Sequence, residues 1–203
     1  MGHFIPSSEA LGTRRQGNLG EFIAFHAALS DKLPYTQVMG VSGMDPIQNV
    51  AAPGLDITYL YFHPNNPVED LLYIQEVKTT GQLDLSYADA LVADHTKLFG
   101  EDPALSFNSR VQSMALRLSL QQQRPDLAKR LRAMTGTAPL GCSHVRLIPT
   151  LVHERIGTDP KTKMLAVRSS IQTLGWPIGQ IRPWSIGMEG LIDRLTRLAR
   201  GQS

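Results

Sequence analysis

The sequence predicts a single α/β domain, in which a mixed central sheet is built around one β-hairpin and flanked by helices. A length of 203 residues and a hydrophobic content of 42% are typical of one globular domain with a sizeable core. Two β-rich runs, 55–62 and 71–79, are separated by the turn-forming segment His63-Pro64-Asn65-Asn66-Pro67. Apolar residues at helical spacing occur on both sides of this pair, which predicts helices that cover the sheet.

The first predicted element is a helix that begins at Asn18, a good N-cap residue, and ends at the Leu33-Pro34 step. This assignment places Glu21 in the first turn of the helix. The helix dipole favours an acidic residue there in any protein, so the position alone does not establish a chemical role.

The chain after the hairpin predicts a series of helices followed by further strands and a last helix. Periodicity, proline positions and β-branched runs give these elements in order: helices at 87–99, 109–123 and 126–134, strands at 145–152 and 164–168, and a helix at 188–200.

Composition excludes several classes of protein. The formal net charge of +2 is too small for nucleic-acid binding by bulk electrostatics, so any such contact depends on local patches. The single Cys142 cannot form an intramolecular disulfide, and no Cys/His spacing matches a structural zinc site. The first residues lack the apolar run of a secretory signal, and no run reaches the length of a membrane span. We therefore expect a cytoplasmic protein that does not insert into a membrane.

The hairpin contains the charged residues from which a metal-binding site is predicted. Opposed residues of an antiparallel pair have a constant sum, and if Asp56 faces Glu76 the turn is centred at Asn66, where the turn signal is strongest. Because strand side chains alternate, Lys78 shares a face with Glu76. Opposed strand residues have Cβ atoms about 5 Å apart, so the two carboxylates are predicted to be close enough to hold one small cation.

Oxygen ligands select a hard cation such as Mg²⁺, which keeps several waters and leaves room for a phosphate oxygen and an attacking water. Lys78 would offset negative charge beside that site. A lone Glu-x-Lys in a strand is, however, usually a solvated face. The cost of burying like charges in a covered sheet is what favours a functional site here.

The same residues resemble the PD-(D/E)XK nuclease superfamily over about residues 17 to 82. The matching segments are Gly20-Glu21, Pro53-Gly54-Leu55-Asp56 and Gln75-Glu76-Val77-Lys78-Thr79-Thr80. The resemblance implies a restriction-endonuclease-like fold across 1–203, with Asp56 and Glu76 as magnesium ligands, Lys78 acting on the attacking water, and Glu21 completing the metal site. Two residues separate Pro53 from Asp56, which is a variation in the spacing before the aspartate.

The resemblance implies a Mg²⁺-dependent nuclease for which Mn²⁺ is expected to substitute, acting on DNA in preference to RNA. Nuclease domains of restriction and phage-defence systems are the most similar in these motifs. A partner protein such as a helicase and an oligomeric state are compatible with this interpretation. The alternative is a catalytically silent, nuclease-like subunit that binds nucleic acid or a partner protein.

Overall fold

The architecture is taken from a computed structural model. It describes residues 12–31, 37–39, 56–83, 85–99, 107–135, 142–155 and 159–202. The segments between these ranges include 53–55, part of the predicted Pro-Gly-Leu-Asp motif, so this part of the motif lies outside the described residues.

The described chain contains six α-helices and five strands. They are α1 (Thr13–Ser30), β1 (Gln37–Met39), β2 (Ile57–Tyr61), β3 (Leu71–Thr80), α2 (Asp89–Leu98), α3 (Phe107–Leu120), α4 (Pro125–Thr135), β4 (Val145–Glu154), α5 (Pro160–Thr173), β5 (Trp184–Met188) and α6 (Leu191–Ala199). The strands β1 to β3 are consecutive, and α2 to α4 lie between β3 and β4. No helix among the described residues combines the length and the apolar character needed to cross a bilayer.

The strands form one mixed, five-stranded sheet in the order β1-β2-β3-β4-β5. The pairs β1/β2 and β2/β3 are antiparallel, whereas β3/β4 and β4/β5 are parallel. The helices α2, α3 and α4 lie in the chain between β3 and β4, as a parallel connection requires. The long strand β3 is therefore paired on both sides and forms the centre of the sheet.

Each face of the sheet is covered by helices. On one face, Leu72 and Ile74 of β3 pack in a core that includes Leu91 of α2, Val111 of α3 and Val167 of α5. On the other face, the core combines β-strand residues with side chains of α1 and α6: Ala24, Ala28, Ile57, Tyr59, Val77, Val152, Leu191 and Leu195. Even-numbered side chains of β3 thus point toward α2 to α5, and odd-numbered ones toward α1 and α6.

The turn of the hairpin is fixed by a buried ionic network. Asp70, which is only 1% exposed, accepts a hydrogen bond from the backbone N–H of His63 at 2.9 Å. The guanidinium of Arg130 contacts both carboxylate oxygens of Asp70, with Nε donating to Oδ2 at 2.9 Å, and also donates to the carbonyl of His63 at 2.7 Å. These contacts tie the turn to α4 and hold the register of β2 and β3.

Three predicted elements are wrong in extent or in type. The first helix begins at Thr13, so Asn18 is not its N-cap and Glu21 lies in the helix interior instead of in its first turn. The predicted strand 164–168 lies inside α5, which starts at Pro160 after Asp159 caps the N–H of Lys161 at 2.9 Å. The predicted last helix combines the end of β5 with α6, separated by a left-handed residue at Gly190.

Candidate active site

The register of the hairpin brings Asp56 opposite Glu76. Ile57 pairs with Gln75 and Thr58 with Ile74, which is the constant sum of 132 that the position of the turn predicted. Asp56 immediately precedes β2, and its Oδ2 accepts a hydrogen bond from the backbone N–H of Val77 at 2.7 Å. The predicted register is confirmed, and the Asp56 carboxylate is anchored to β3 beside Glu76.

Lys78 lies on the same face of β3 as Glu76 and is held by a residue that the sequence did not single out. Its Nζ forms an ion pair with Oδ2 of Asp94 on α2, and both side chains are about a fifth exposed, at 21% and 23%. Lys97 approaches the other oxygen of Asp94 at 3.4 Å from a more exposed position. The ammonium of Lys78 is therefore fixed between the sheet and α2.

A second cation acts on the two carboxylates from α3. The positive charge of Arg110 lowers the pKa of both Asp56 and Glu76, in opposition to larger effects that raise them. The described site thus combines three carboxylates, of Asp56, Glu76 and Asp94, with two cations, of Lys78 and Arg110. With every group ionised its net charge would be about −1.

Burial dominates the protonation of this site. Glu76 is 6% exposed, and its pKa is raised well above that of an ordinary glutamate, first by desolvation and then by the charges of Asp56 and Asp94. Burial likewise raises the pKa of Asp56, with partial compensation from the N–H of Val77 and the charge of Lys78. Ionisation of either carboxylate is therefore unfavourable unless further positive charge is nearby.

The pKa of Lys78 is raised, which favours the charged ammonium. Burial lowers the pKa of the ammonium, but the hydrogen bond and the negative charge of Asp94 outweigh that effect, so the pKa is raised. Lys78 is therefore a fixed cation at neutral pH, suited to donating hydrogen bonds and to offsetting negative charge, and unsuited to accepting a proton.

Glu21 reaches this region from the other side of the sheet. It follows Gly20, which packs directly against Thr79, the residue next to Lys78 but on the opposite face. One carboxylate oxygen of Glu21 is buried. The charged groups that shift the pKa of Glu76 are Asp56, Asp94, Arg110 and Lys78. The structure brings Asp56, Glu76 and Lys78 together, whereas the role of Glu21 stays a prediction.

Asp94 and Arg110 were missed because each lies on a helix that the sequence assigns to packing. Both nevertheless carry a recognisable signal. Asp94 follows the buried Leu91 by three residues, and Arg110 precedes the buried Met114 by four, so each charge borders an apolar stripe that faces the core. A charged residue at such a position is expected to face a polar site or an ion partner.

The donor set suits a hard cation only in part. No group of three or more His, Cys, Asp or Glu residues among the described positions is arranged to hold a metal ion. Two carboxylates are nevertheless what Mg²⁺ commonly takes from a protein, because it retains several waters. The buried Oε1 of Glu76 has no hydrogen-bond partner among the described residues, so this oxygen is available to a cation that displaces the carboxyl proton.

Comparison with known proteins supplies no functional assignment. No protein-family model matches the chain, and no curated protein matches its sequence significantly. The functional interpretation therefore depends on the geometry and charge of the cluster around Glu76.

Proposed function

We propose that this chain is a metal-dependent nuclease that hydrolyses phosphodiester bonds of DNA. The observation on which the proposal depends is the convergence of Asp56, Glu76 and Lys78 on one face of the central hairpin, beneath α2 and α3. A buried pair of carboxylates costs free energy unless it binds a cation or shares a proton. We therefore infer that the pair has a functional role.

The proposal includes a restriction-endonuclease-like fold. Its support is the antiparallel pair β2/β3, which carries the motif residues within a mixed sheet. Helix α1 covers one face of this sheet, and the helices that connect β3 to the parallel strand β4 cover the other. The membership of Glu21 in the site belongs to the same proposal, because α1 reaches β3 at Thr79.

Asp56 and Glu76 would hold a Mg²⁺ ion, for which Mn²⁺ is expected to substitute. When bound, the ion supplies neutralisation of phosphoryl charge and a lowered pKa for water. Within the described part of the chain, Oε1 of Glu76 has no hydrogen-bond partner. This free oxygen and the repulsion between the two carboxylates both favour a bound cation. The raised pKa of Glu76 means that the ion would have to displace a proton, so occupancy should increase with pH.

Lys78 acts as a fixed positive charge beside the reacting phosphate. Asp94 restrains the ammonium and keeps it protonated, so its donors remain directed at one place. A charge that is already in position needs no reorganisation as negative charge develops on the phosphoryl oxygens. The attacking water would be oriented by this ammonium and by the carboxylate of Glu76.

A catalytically silent, nuclease-like subunit is the second candidate. It is favoured by the absence, among the described residues, of a three-ligand metal group, and by the engagement of Lys78 with Asp94. Such a subunit would bind nucleic acid or a partner such as a helicase through the same fold. Action in restriction or phage defence, within an oligomer or with a partner, would fit either candidate.

A cleavage assay separates the two candidates. The full chain is incubated with duplex and single-stranded DNA in Mg²⁺, in Mn²⁺ and in EDTA, beside Asp56→Ala, Glu76→Ala and Lys78→Ala. We expect cleavage that EDTA abolishes and that each variant reduces by about a hundredfold or more. The matched control is Asp89→Ala, which removes an exposed carboxylate from α2 and should leave the rate unchanged. Equal rates in wild type, Asp56→Ala and Glu76→Ala would reject the nuclease.

A further inference from the structure

Arg110 is a half-buried cation that acts on the candidate active site and makes no hydrogen bond or ion pair to another described residue. It lies in the first turns of α3, between Phe107 and Val111, which pack in the same core as Ile74 of β3. Its Nε is buried and has no hydrogen-bond partner among the described residues. No ion pair of the described chain includes its guanidinium.

The other cation of the site already has a partner, which distinguishes it from Arg110. Lys78 is bound to Asp94, and elsewhere the half-buried Arg130 is fully engaged by Asp70 and the carbonyl of His63. A buried donor left without a partner costs about 1–3 kcal/mol. Native structures rarely retain such a cost without a ligand or a task.

The charge of Arg110 lowers the pKa of both carboxylates of the pair, although no hydrogen bond joins it to them among the described residues. This attraction is smaller than the effect of burial, which raises both pKa values. A guanidinium whose N–H groups are not used by the carboxylates can donate hydrogen bonds to an anion that enters the same site. The planar fork of arginine matches two oxygens of a phosphate.

We propose that Arg110 binds a phosphodiester of the nucleic-acid strand and positions it beside Asp56 and Glu76. The identity of this ligand rests on the proposed nuclease function. The two cations then have different roles. Arg110 binds the substrate, whereas Lys78, restrained by Asp94, provides a fixed charge at the reacting group. Arg110 would be the main reason why a site with three carboxylates admits a polyanion at all.

The test measures DNA binding without cleavage. Fluorescence anisotropy follows a short fluorescein-labelled DNA duplex as it binds the full chain in EDTA, at several salt concentrations. Arg110→Ala should weaken binding by about ten- to a hundredfold and reduce the slope of log K against log salt by about 0.9. Arg110→Lys keeps the charge and loses the fork, so it should retain the slope and lose part of the affinity. The matched control is Arg117→Ala, an exposed arginine of the same helix, which should bind nearly as wild type does.

Because the Arg110 side chain makes no hydrogen bond to another described residue, its replacement should leave the fold intact, and a thermal melt of each variant checks this. Equal affinity and equal slope in wild type and Arg110→Ala would overturn the proposal, as would undetectable binding by wild type at low salt. Binding that depends on Arg110, in a chain that cleaves nothing in Mg²⁺, would support the phosphate contact and reject the nuclease. Normal cleavage with no effect of Arg110→Ala on affinity would reject the contact alone.

Discussion

Replacing Glu76 by glutamine should stabilise the metal-free protein at neutral and alkaline pH. Glu76 is 6% exposed and lies opposite Asp56, and Cβ atoms of opposed residues are about 5 Å apart. At that separation and an effective dielectric constant of 20, the repulsion between two carboxylates is about 3 kcal/mol. Lys78 and Arg110 offset part of it, so we expect a net gain of about 1–2 kcal/mol, which corresponds to a rise in Tm of about 2–8 °C for a chain of this size.

The gain should depend on pH in a defined direction. Because the pKa of Glu76 is raised in the folded protein, the folded state keeps a proton that the unfolded chain has already released. The stability that this proton contributes is complete below the ordinary glutamate pKa and is lost as pH rises through the raised value. Wild type and Glu76→Gln should therefore be equally stable near about pH 4 and differ most near about pH 8.

The assay is thermal unfolding of both proteins in EDTA at these two pH values, with Glu189→Gln as a control. Glu189 is exposed, so its replacement should change stability little at either pH. Addition of Mg²⁺ should raise the Tm of wild type at the higher pH and leave that of Glu76→Gln unchanged. A variant that is less stable than wild type near about pH 8 would refute the inference that burial and neighbouring charges disfavour ionisation of Glu76 in the folded protein.

Two further replacements test the positioning of Lys78 and the packing of α1. Asp94→Asn should lower kcat for DNA cleavage by about tenfold or more with little change in KM, because Lys78 loses the partner that fixes its ammonium. Gly20→Ala should lower the free energy of unfolding by about 1–3 kcal/mol in a urea titration, because the new Cβ would lie 2.8 Å from Cβ of Thr79 and force α1 away from β3.

Each of these replacements has a matched control on its own helix. Lys97→Ala removes the outer partner of Asp94 and should keep kcat near the wild-type value. Gly17→Ala adds a methyl group to α1 where nothing lies within 4 Å, so it should stabilise the helix by about 1 kcal/mol. Undiminished cleavage by Asp94→Asn would show that Lys78 needs no restraint, and equal effects at positions 17 and 20 would show that α1 does not pack closely on β3.

The hairpin could be predicted because its information is local. The Asn66 turn and the alternation of side chains are enough to fix which residues are opposed, and the observed register agrees. The segment 164–168 was misassigned because five residues cannot distinguish the two periods. Met164, Val167 and Ile171 are all buried along α5, and this helical spacing becomes visible only over a longer window.

The complete site could not be predicted because two of its charges come from distant segments. Asp94 and Arg110 reach the carboxylates through the packing of α2 and α3 against β3, and a single sequence gives no direct measure of that packing. The desolvation that raises the pKa of Glu76 has the same origin. Sequence reasoning could therefore identify the two carboxylates on the hairpin but not the groups that set their charge.

Electron paramagnetic resonance of Mn²⁺ with the full chain shows whether Asp56 and Glu76 share a cation. We expect wild type to bind one Mn²⁺ that Mg²⁺ displaces, and we expect Asp56→Asn and Glu76→Gln each to weaken that binding by about tenfold or more. If both variants bind Mn²⁺ as tightly as wild type, the two carboxylates do not share a cation, and the proposed active site is wrong.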